Sequence, residues 1–283
     1  MNSLSQIEPV DYLLIGHVTQ DVVPTGFALG GTVSYSSLTA LAFGKKVGIV
    51  TSCRSDLLLP ELGKISVIRK ESENNTTFEN VNTPAGRVQH IRAVAKKISI
   101  TDIPPIWRNA SIVHLGPVAA ELDSTLSDSF PNSMVGITPQ GYMRGWDESG
   151  LVKFVPWTNA LSVLKHAGVV VLSIEDVHGN EEVIQNWVAS VPVLVVTEGA
   201  KGSRVYWNGD VRYFRPPHED ELDPVGAGDI FATSFFIRYH DTLDPWEAAR
   251  VATLIAARSV TRRTLAGVPT TEEVRSVQSE IIQ

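Results

Sequence analysis

At 283 residues, with 43% hydrophobic and 19% charged side chains, the chain can bury a sizeable core and is too apolar to be disordered. A net charge of -7 with no basic block leaves no electrostatic footprint for nucleic acid, and no run of about 18 apolar residues offers a membrane span. The single cysteine, Cys53, excludes an internal disulfide and a cysteine-based zinc site; it reads as a small hydrophobe beside a strand end.

The opening stretch MNSLSQIEPV has neither a basic n-region nor an apolar h-region. No secretory signal is expected there, and the cytoplasm is the default compartment. Short β-branched runs follow at 11–16, 47–52, 111–116, 134–138, 169–173 and 193–197. Their hydrophobicity is nearly continuous, as expected for strands covered on both faces. Helical patterns lie between and after them, at 32–43, 180–189 and 226–239. A further helix starts at DPWE, with Asp244 as N-cap, Pro245 at N1 and Glu247 at N3 of a capping box. In it Ala248, Val251, Ala252 and Ile255 recur at helix spacing as one buried stripe. The alternation predicts an α/β fold, with a central mainly parallel sheet covered by helices on both faces. One region breaks it. Residues 67–98 are polar with strand-like alternation and a hairpin turn from Asn82 to Gly86, and 22–30 is also strand-like. Together these two segments predict a small β lid on a single 1–283 domain.

The segment DPVGAGDIF at 223–231 carries the chemistry. Gly226, Ala227 and Gly228 let an anion approach backbone N–H groups at the first turn of a helix, where donors lack partners and the dipole favours negative charge. Asp229 stands just beyond. The helix end should hold its carboxylate ionised at neutral pH, ready to accept a proton beside a phosphate. Taken alone, GAGD also fits a plain helix start. A dinucleotide fingerprint is disfavoured because Phe231 occupies the place of a third glycine, and no G-x-x-x-x-G-K-[ST] loop occurs.

At this motif the sequence resembles the ribokinase-like (PfkB) carbohydrate kinases, whose signature D-[TS]-x-G-A-G-D-x-F it matches except at Pro224. GHVTQD at 16–21 is similar to the family's G-x-x-x-x-D. Gly30 and Gly31 resemble the diglycine before its first long helix, and TEGAKG at 197–202 the turn beside its nucleotide. The polar hairpin near 76–92 falls where the family places its lid. The resemblance implies a ribokinase-like fold, ATP as donor and Mg²⁺ dependence. It makes Asp229 the base, Gly226, Ala227 and Gly228 the anion hole, and Asp21 and Gly31 acceptor contacts. Thr197, Gly199 and Gly202 become nucleotide contacts.

Three departures stand out. Tyr35 sits where the family often has an Asn in the acceptor site. The family's N-x-x-E appears as 173–176, keeping an acid, Asp176, for metal but losing the amide to Ser173. Pro224 stiffens the approach to the anion hole. ENNTTFEN at 73–80 and TPQGYMR at 138–144 resemble the inositol-kinase-like branch, so a sugar or polyol such as myo-inositol is the expected acceptor. A nucleoside kinase, with Tyr35 and Phe78 walling the base, and a non-catalytic ligand-binding member are the alternatives. Arg87, Arg92 and Arg144 would suit a phosphorylated acceptor but read more simply as solvated surface charges. His17, at the end of the first strand, reads as a satisfied packing residue, and His114 and His178 lack metal-ligand spacing. No nucleic-acid or membrane partner is expected, and a homodimer through the lid is.

Overall fold

The computed structural model describes residues 7–83 and 86–280. In chain order the elements are β1 (Tyr12–Ile15), β2 (Thr19–Val23), β3 (Gly26–Gly30), α1 (Thr32–Ala42), β4 (Val47–Cys53), β5 (Ser66–Glu71), β6 (Thr76–Thr83) and β7 (Gly86–Ala93). Then come β8 (Ile112–Leu115), β9 (Met134–Ile137), β10 (Arg144–Trp146), β11 (Val152–Phe154), α2 (Ala160–Leu164), β12 (Val169–Ser173) and α3 (Glu181–Val188). The last are β13 (Val193–Thr197), β14 (Ser203–Trp207), β15 (Asp210–Phe214), α4 (Ala227–Thr242), α5 (Pro245–Ser259) and α6 (Thr271–Ser279).

The central sheet has nine strands in the order β15-β14-β13-β12-β9-β8-β1-β4-β5. It is parallel from β13 to β5, and β14 and β15 close one edge antiparallel. The strand period of two sorts its core residues. Tyr12 and Leu14 face one layer with Phe235 and Ala252, while Leu13 and Ile15 face the other with Val163 and Trp187. Helices α1, α4 and α5 therefore cover one face, and α2 and α3 the other. Every residue of β4 is buried, which accounts for its unbroken hydrophobicity. Cys53 ends that strand and is buried.

Helix α5 starts as its sequence predicts, with the Asp244 carboxylate accepting the N–H groups of Trp246 (2.8 Å) and Glu247 (3.3 Å). The other half of the expected capping box is absent. Glu247 instead accepts hydrogen bonds from Arg238 and Arg250, and the Asp244 N–H donates to the Thr242 hydroxyl. An arginine pair within reach outcompetes one backbone donor because charge-assisted bonds are the stronger kind.

A second sheet has the order β3-β2-β6-β7. Its extent differs from the expected 22–30 and 67–98. β2 begins at Thr19, and β5, within the expected lid, pairs with β4 in the central sheet. The tip of the β6–β7 hairpin, where the turn from Asn82 to Gly86 was expected, includes positions outside the described residues. The β10–β11 hairpin braces this sheet, with a bridge between His90 and Leu151 and a bond from the Ile91 N–H to the Gly150 carbonyl (2.8 Å). Among the described residues no helix is long and apolar enough to cross a membrane.

Candidate active site

One cavity of about 710 Å³ opens at the carboxyl ends of the parallel strands, where ligands of open α/β sheets bind. The residues given acceptor, metal, nucleotide and catalytic roles from the sequence line it: Asp21, Gly31 and Tyr35, then Asp176, then Thr197, Gly199 and Gly202, and Gly226 to Asp229. Arg92, weighed for a phosphorylated acceptor, does not, and pairs with Glu79. The structure adds Phe78, Asn80 and Gln89 from the second sheet, Gln140 and Arg144 from the turn after β9, and Val225, Thr253, Ala256 and Val260 beside α5.

Gly226 caps α4 in the left-handed region, at φ 82°. A Cβ there would lie 2.2 Å from Cδ1 of Tyr35, so only glycine lets the tyrosine ring pack under the turn. Tyr35 is 3% exposed and joins the apolar cluster of Ile230 and Val251, so it shapes the floor of the site. No side chain caps α4. The Ala227 N–H is taken by the Pro224 carbonyl (3.2 Å), which leaves the donors of Gly228 and Asp229 as the main cradle. Asp223 builds the loop before it, one oxygen accepting the Val225 N–H (3.1 Å) and the other the Thr264 N–H (2.8 Å). That role was not predicted, though an aspartate two residues before a turn is a recognisable signal.

The ionisation of Asp229 departs from expectation in direction. Burial against the cavity wall pushes its pKa up to about 6, although the Thr32 hydroxyl and the Arg144 charge pull the other way and Asp176 adds to the rise. It remains mostly ionised at neutral pH, a state suited to accepting a proton.

Asp21 projects from β2 across β3. A Cβ on Gly30 would lie 2.3 Å from its Oδ2, so the diglycine lets the carboxylate rest on the backbone at the start of α1. Ser36 of α1 reaches the Asp229 carbonyl at 3.5 Å, tying the two helix starts together. Two buried side chains hold the loops in place: Glu121, whose role was not predicted, and His17, expected as a satisfied packing residue. Glu121, 1% exposed, accepts N–H groups from His17 (3.0 Å), Val118 (3.0 Å) and Ala119 (2.7 Å). His17 links the layers, with Nε2 donating to the Lys96 carbonyl (2.9 Å) and Nδ1 accepting from the Thr76 hydroxyl (2.7 Å). An isolated acid or histidine in an apolar stretch carries no local sign of such long-range bonds. His114 is enclosed between Tyr12 and Thr138, and burial lowers its pKa to about 3, so it is neutral.

At the far wall, Ser173 caps a short turn, accepting the Glu175 N–H (3.2 Å), while Asp176 accepts the Ser173 N–H (2.9 Å) and the Gln140 amide (2.9 Å). Burial raises the Asp176 pKa, which favours a cation beside it. Among the described residues no three His, Cys, Asp or Glu side chains group as a metal cage. Mg²⁺ needs none, since one or two carboxylates with donor phosphates and water suffice; Asp176 with neighbouring Glu175 fits that mode. The Thr197 hydroxyl donates to the Leu172 carbonyl (3.3 Å) and so ties β13 to β12 at the cavity edge. Arg144, expected as a solvated charge, is half-buried here, with Nη1 bonded to the Val118 carbonyl (3.1 Å) and the guanidinium 5.3 Å from the Phe78 ring centre.

The model of the pfkB family carbohydrate kinases matches residues 160–271. A cytidine kinase from Thermococcus kodakarensis is 25% identical over 260 residues, 81% of this chain and 88% of that enzyme. An inositol 3-kinase from Zea mays is 35% identical over a shorter stretch of 77 residues, 27% of this chain and 20% of that enzyme. A solved pyrophosphate-dependent kinase in the ribokinase family, complexed with a pyrophosphate analog and myo-inositol, superposes with a TM-score of 0.77 at 17% identity, covering 94% of this chain and 99% of that one. Fold, cavity and relatives define a phosphotransferase with an alcohol group as acceptor. Residues 160–271, which carry the GAGD helix, match the pfkB carbohydrate kinase family, and the chain has a ribokinase-like fold.

Proposed function

We propose that this enzyme transfers the γ-phosphoryl group of ATP to a hydroxyl of an uncharged sugar or polyol, with myo-inositol the first acceptor to examine. The observation that carries this reading is the meeting of Asp229, the uncapped start of α4 and Asp21 in one cavity. Asp229 takes the proton from the acceptor hydroxyl as its oxygen attacks the γ-phosphorus. The bond to the ADP oxygen breaks, and the backbone N–H groups in the Gly226 to Asp229 turn, chiefly those of Gly228 and Asp229, hold the charge on the moving group. Asp21 accepts hydrogen bonds from acceptor hydroxyls, with Gly31 and Tyr35 shaping that end. The backbone at Thr197, Gly199 and Gly202 borders the nucleotide. Asp176 would hold Mg²⁺, which would supply charge neutralisation on the donor phosphates.

Electrostatics supports an uncharged acceptor. Among the described lining residues Arg144 is the one arginine or lysine, against the carboxylates of Asp21, Glu175, Asp176, Glu219, Glu221 and Asp229. A phosphorylated acceptor would add charge to a site already short of cations. A second reading, a nucleoside acceptor, is favoured by the Phe78 and Tyr35 rings in the same cavity and by the cytidine kinase relative.

The test is ADP formation with ATP and Mg²⁺ over a panel of myo-inositol, ribose, fructose, their phosphates and nucleosides, repeated with Asp229→Asn. Turnover with uncharged acceptors is expected, with kcat falling by about 10³-fold in the variant. Turnover that survives the substitution removes Asp229 as base. Nucleotide binding without turnover on any acceptor favours a non-catalytic ligand-binding protein.

A further inference from the structure

The loop after β8 buries a carboxyl group where three segments of the cavity wall meet. Glu121 is 1% exposed, and both of its oxygens are turned onto backbone N–H groups. Oε1 accepts from His17 and Val118 (3.0 Å each), and Oε2 from Val118 (3.0 Å) and Ala119 (2.7 Å). The first of these bonds crosses to another strand. The β1–β8 ladder ends at Ile15 and Leu115, and the His17 N–H just beyond it goes to the Glu121 side chain. Two residues on, Thr19 opens β2, which carries Asp21 into the cavity. The peptide between Val118 and Ala119 is held at both ends. Its N–H points to Glu121, and its carbonyl accepts from the Arg144 guanidinium (3.1 Å). Such a peptide is polarised from both sides, so each bond strengthens the other. The same loop is locked to the turn before Arg144: the Ala120 N–H meets the Gly141 carbonyl and the Gly141 N–H the Pro117 carbonyl, both at 3.0 Å. A Cβ on Gly141 would lie 2.2 Å from the Pro117 carbonyl carbon, so the two segments pack backbone to backbone. One side chain thus fixes both the strand start that presents Asp21 and the carbonyl that holds Arg144. An acceptor with several hydroxyls needs its hydrogen-bond partners at fixed separations. The donor phosphates meet the start of α4, whose loop is built separately by Asp223.

We propose that Glu121 is a positioning residue that sets the spacing between Asp21 and Arg144, and through it the affinity for an uncharged polyhydroxyl acceptor. This rests on the acceptor end of the kinase reading above, and the test separates the two.

Glu121→Gln keeps the length of the side chain and turns one acceptor oxygen into a donor that faces N–H groups. It is compared with the unaltered full chain in acceptor KM, ATP KM, kcat, calorimetric binding of myo-inositol and amide hydrogen exchange. Asp244→Ala, which removes the α5 cap outside the cavity, controls for lost stability alone. In the Gln variant acceptor KM should rise about tenfold or more, with ATP KM and kcat within about threefold, while Asp244→Ala leaves all three unchanged. Faster exchange should be confined to residues 16–22 and 117–120. Glu121→Asp keeps two acceptor oxygens and loses one methylene of reach, so it should hold its own loop, release His17 and give an intermediate acceptor KM. The Asp variant replaces the Gln variant if thermal melting shows that the latter does not fold. A lowered midpoint with both KM values unchanged overturns the proposal, as does a loss in kcat alone. Equal rises in the two KM values also overturn it, because the site then loosens as a whole. If the unaltered chain turns over no acceptor but binds myo-inositol, and the Gln variant binds it about tenfold more weakly, the kinase reading falls and the positioning role stands; equal binding by the two overturns both. If the unaltered chain neither turns over nor binds any member of the panel, both fall.

Discussion

Asp229 is subject to two opposed demands. The α4 dipole favours its charged form, while the low-dielectric wall of the cavity disfavours it, and burial wins, bringing the pKa to about 6. As a base it must be ionised, so kcat/KM should fall about tenfold per pH unit below about 6 and level off above, a profile read directly from initial rates. The same shift has a cost in stability. A carboxyl whose folded pKa is about 6, against an ordinary 3.8, binds its proton more tightly in the folded state. The penalty is therefore complete above about pH 6 and gone below about pH 4. Asp229→Asn should raise the thermal midpoint at pH 8 and change it little at pH 4, while removing activity; a midpoint lowered at pH 8 would contradict the burial account. The position of Asp229 was legible in GAGD, because spacing alone places it at a helix start. The sense of its shift was not, because its burial and the groups that act on it, Thr32, Arg144 and Asp176, depend on elements distant in sequence.

Elements were legible where one local signal dominates. The six apolar strands and the starts of α1 and α5 were readable from continuous hydrophobicity, the diglycine and the Asp-Pro cap. β14 and β15 were not, although Asn208-Gly209 between them is a strong two-residue hairpin signal. β15 is mostly exposed at the sheet edge and lacks the apolar run that marked the buried strands. β5 is likewise half-exposed, so its alternation read as lid when its pairing is with β4. The α5 cap offers a test at this scale. Asp244→Ala should cost about 1 kcal/mol in denaturant unfolding and leave kcat unchanged, since Glu247 keeps its arginine partners without it. A loss near zero would mean that Pro245 alone sets the helix start.

At the scale of the whole molecule the cavity has two unlike ends, and the difference bears on the donor. The end toward the second sheet is polar, with Asp21, Asn80 and Gln89, while the α5 side presents Val225, Ala256, Ala257 and Val260. A related fold serves a pyrophosphate-dependent kinase, so the fold itself does not choose between an inorganic and a nucleotide donor. On the proposed ATP reading, the apolar wall makes that choice. A purine ring laid on it removes water from surface that pyrophosphate would leave wet. Roughly 80 Å² of such surface at about 25 cal/mol/Å² gives about 2 kcal/mol, close to a thirtyfold preference. ATP should therefore exceed pyrophosphate by about thirtyfold or more in kcat/KM at matched Mg²⁺. Ala256→Phe, which fills the wall, should raise KM for ATP about tenfold and leave inhibition by pyrophosphate unchanged, because the phosphate end is untouched. Equal use of the two donors, or a variant that weakens both alike, would mean that the apolar side packs α5 against the sheet and reads no base. The donor would then be selected at the α4 start alone.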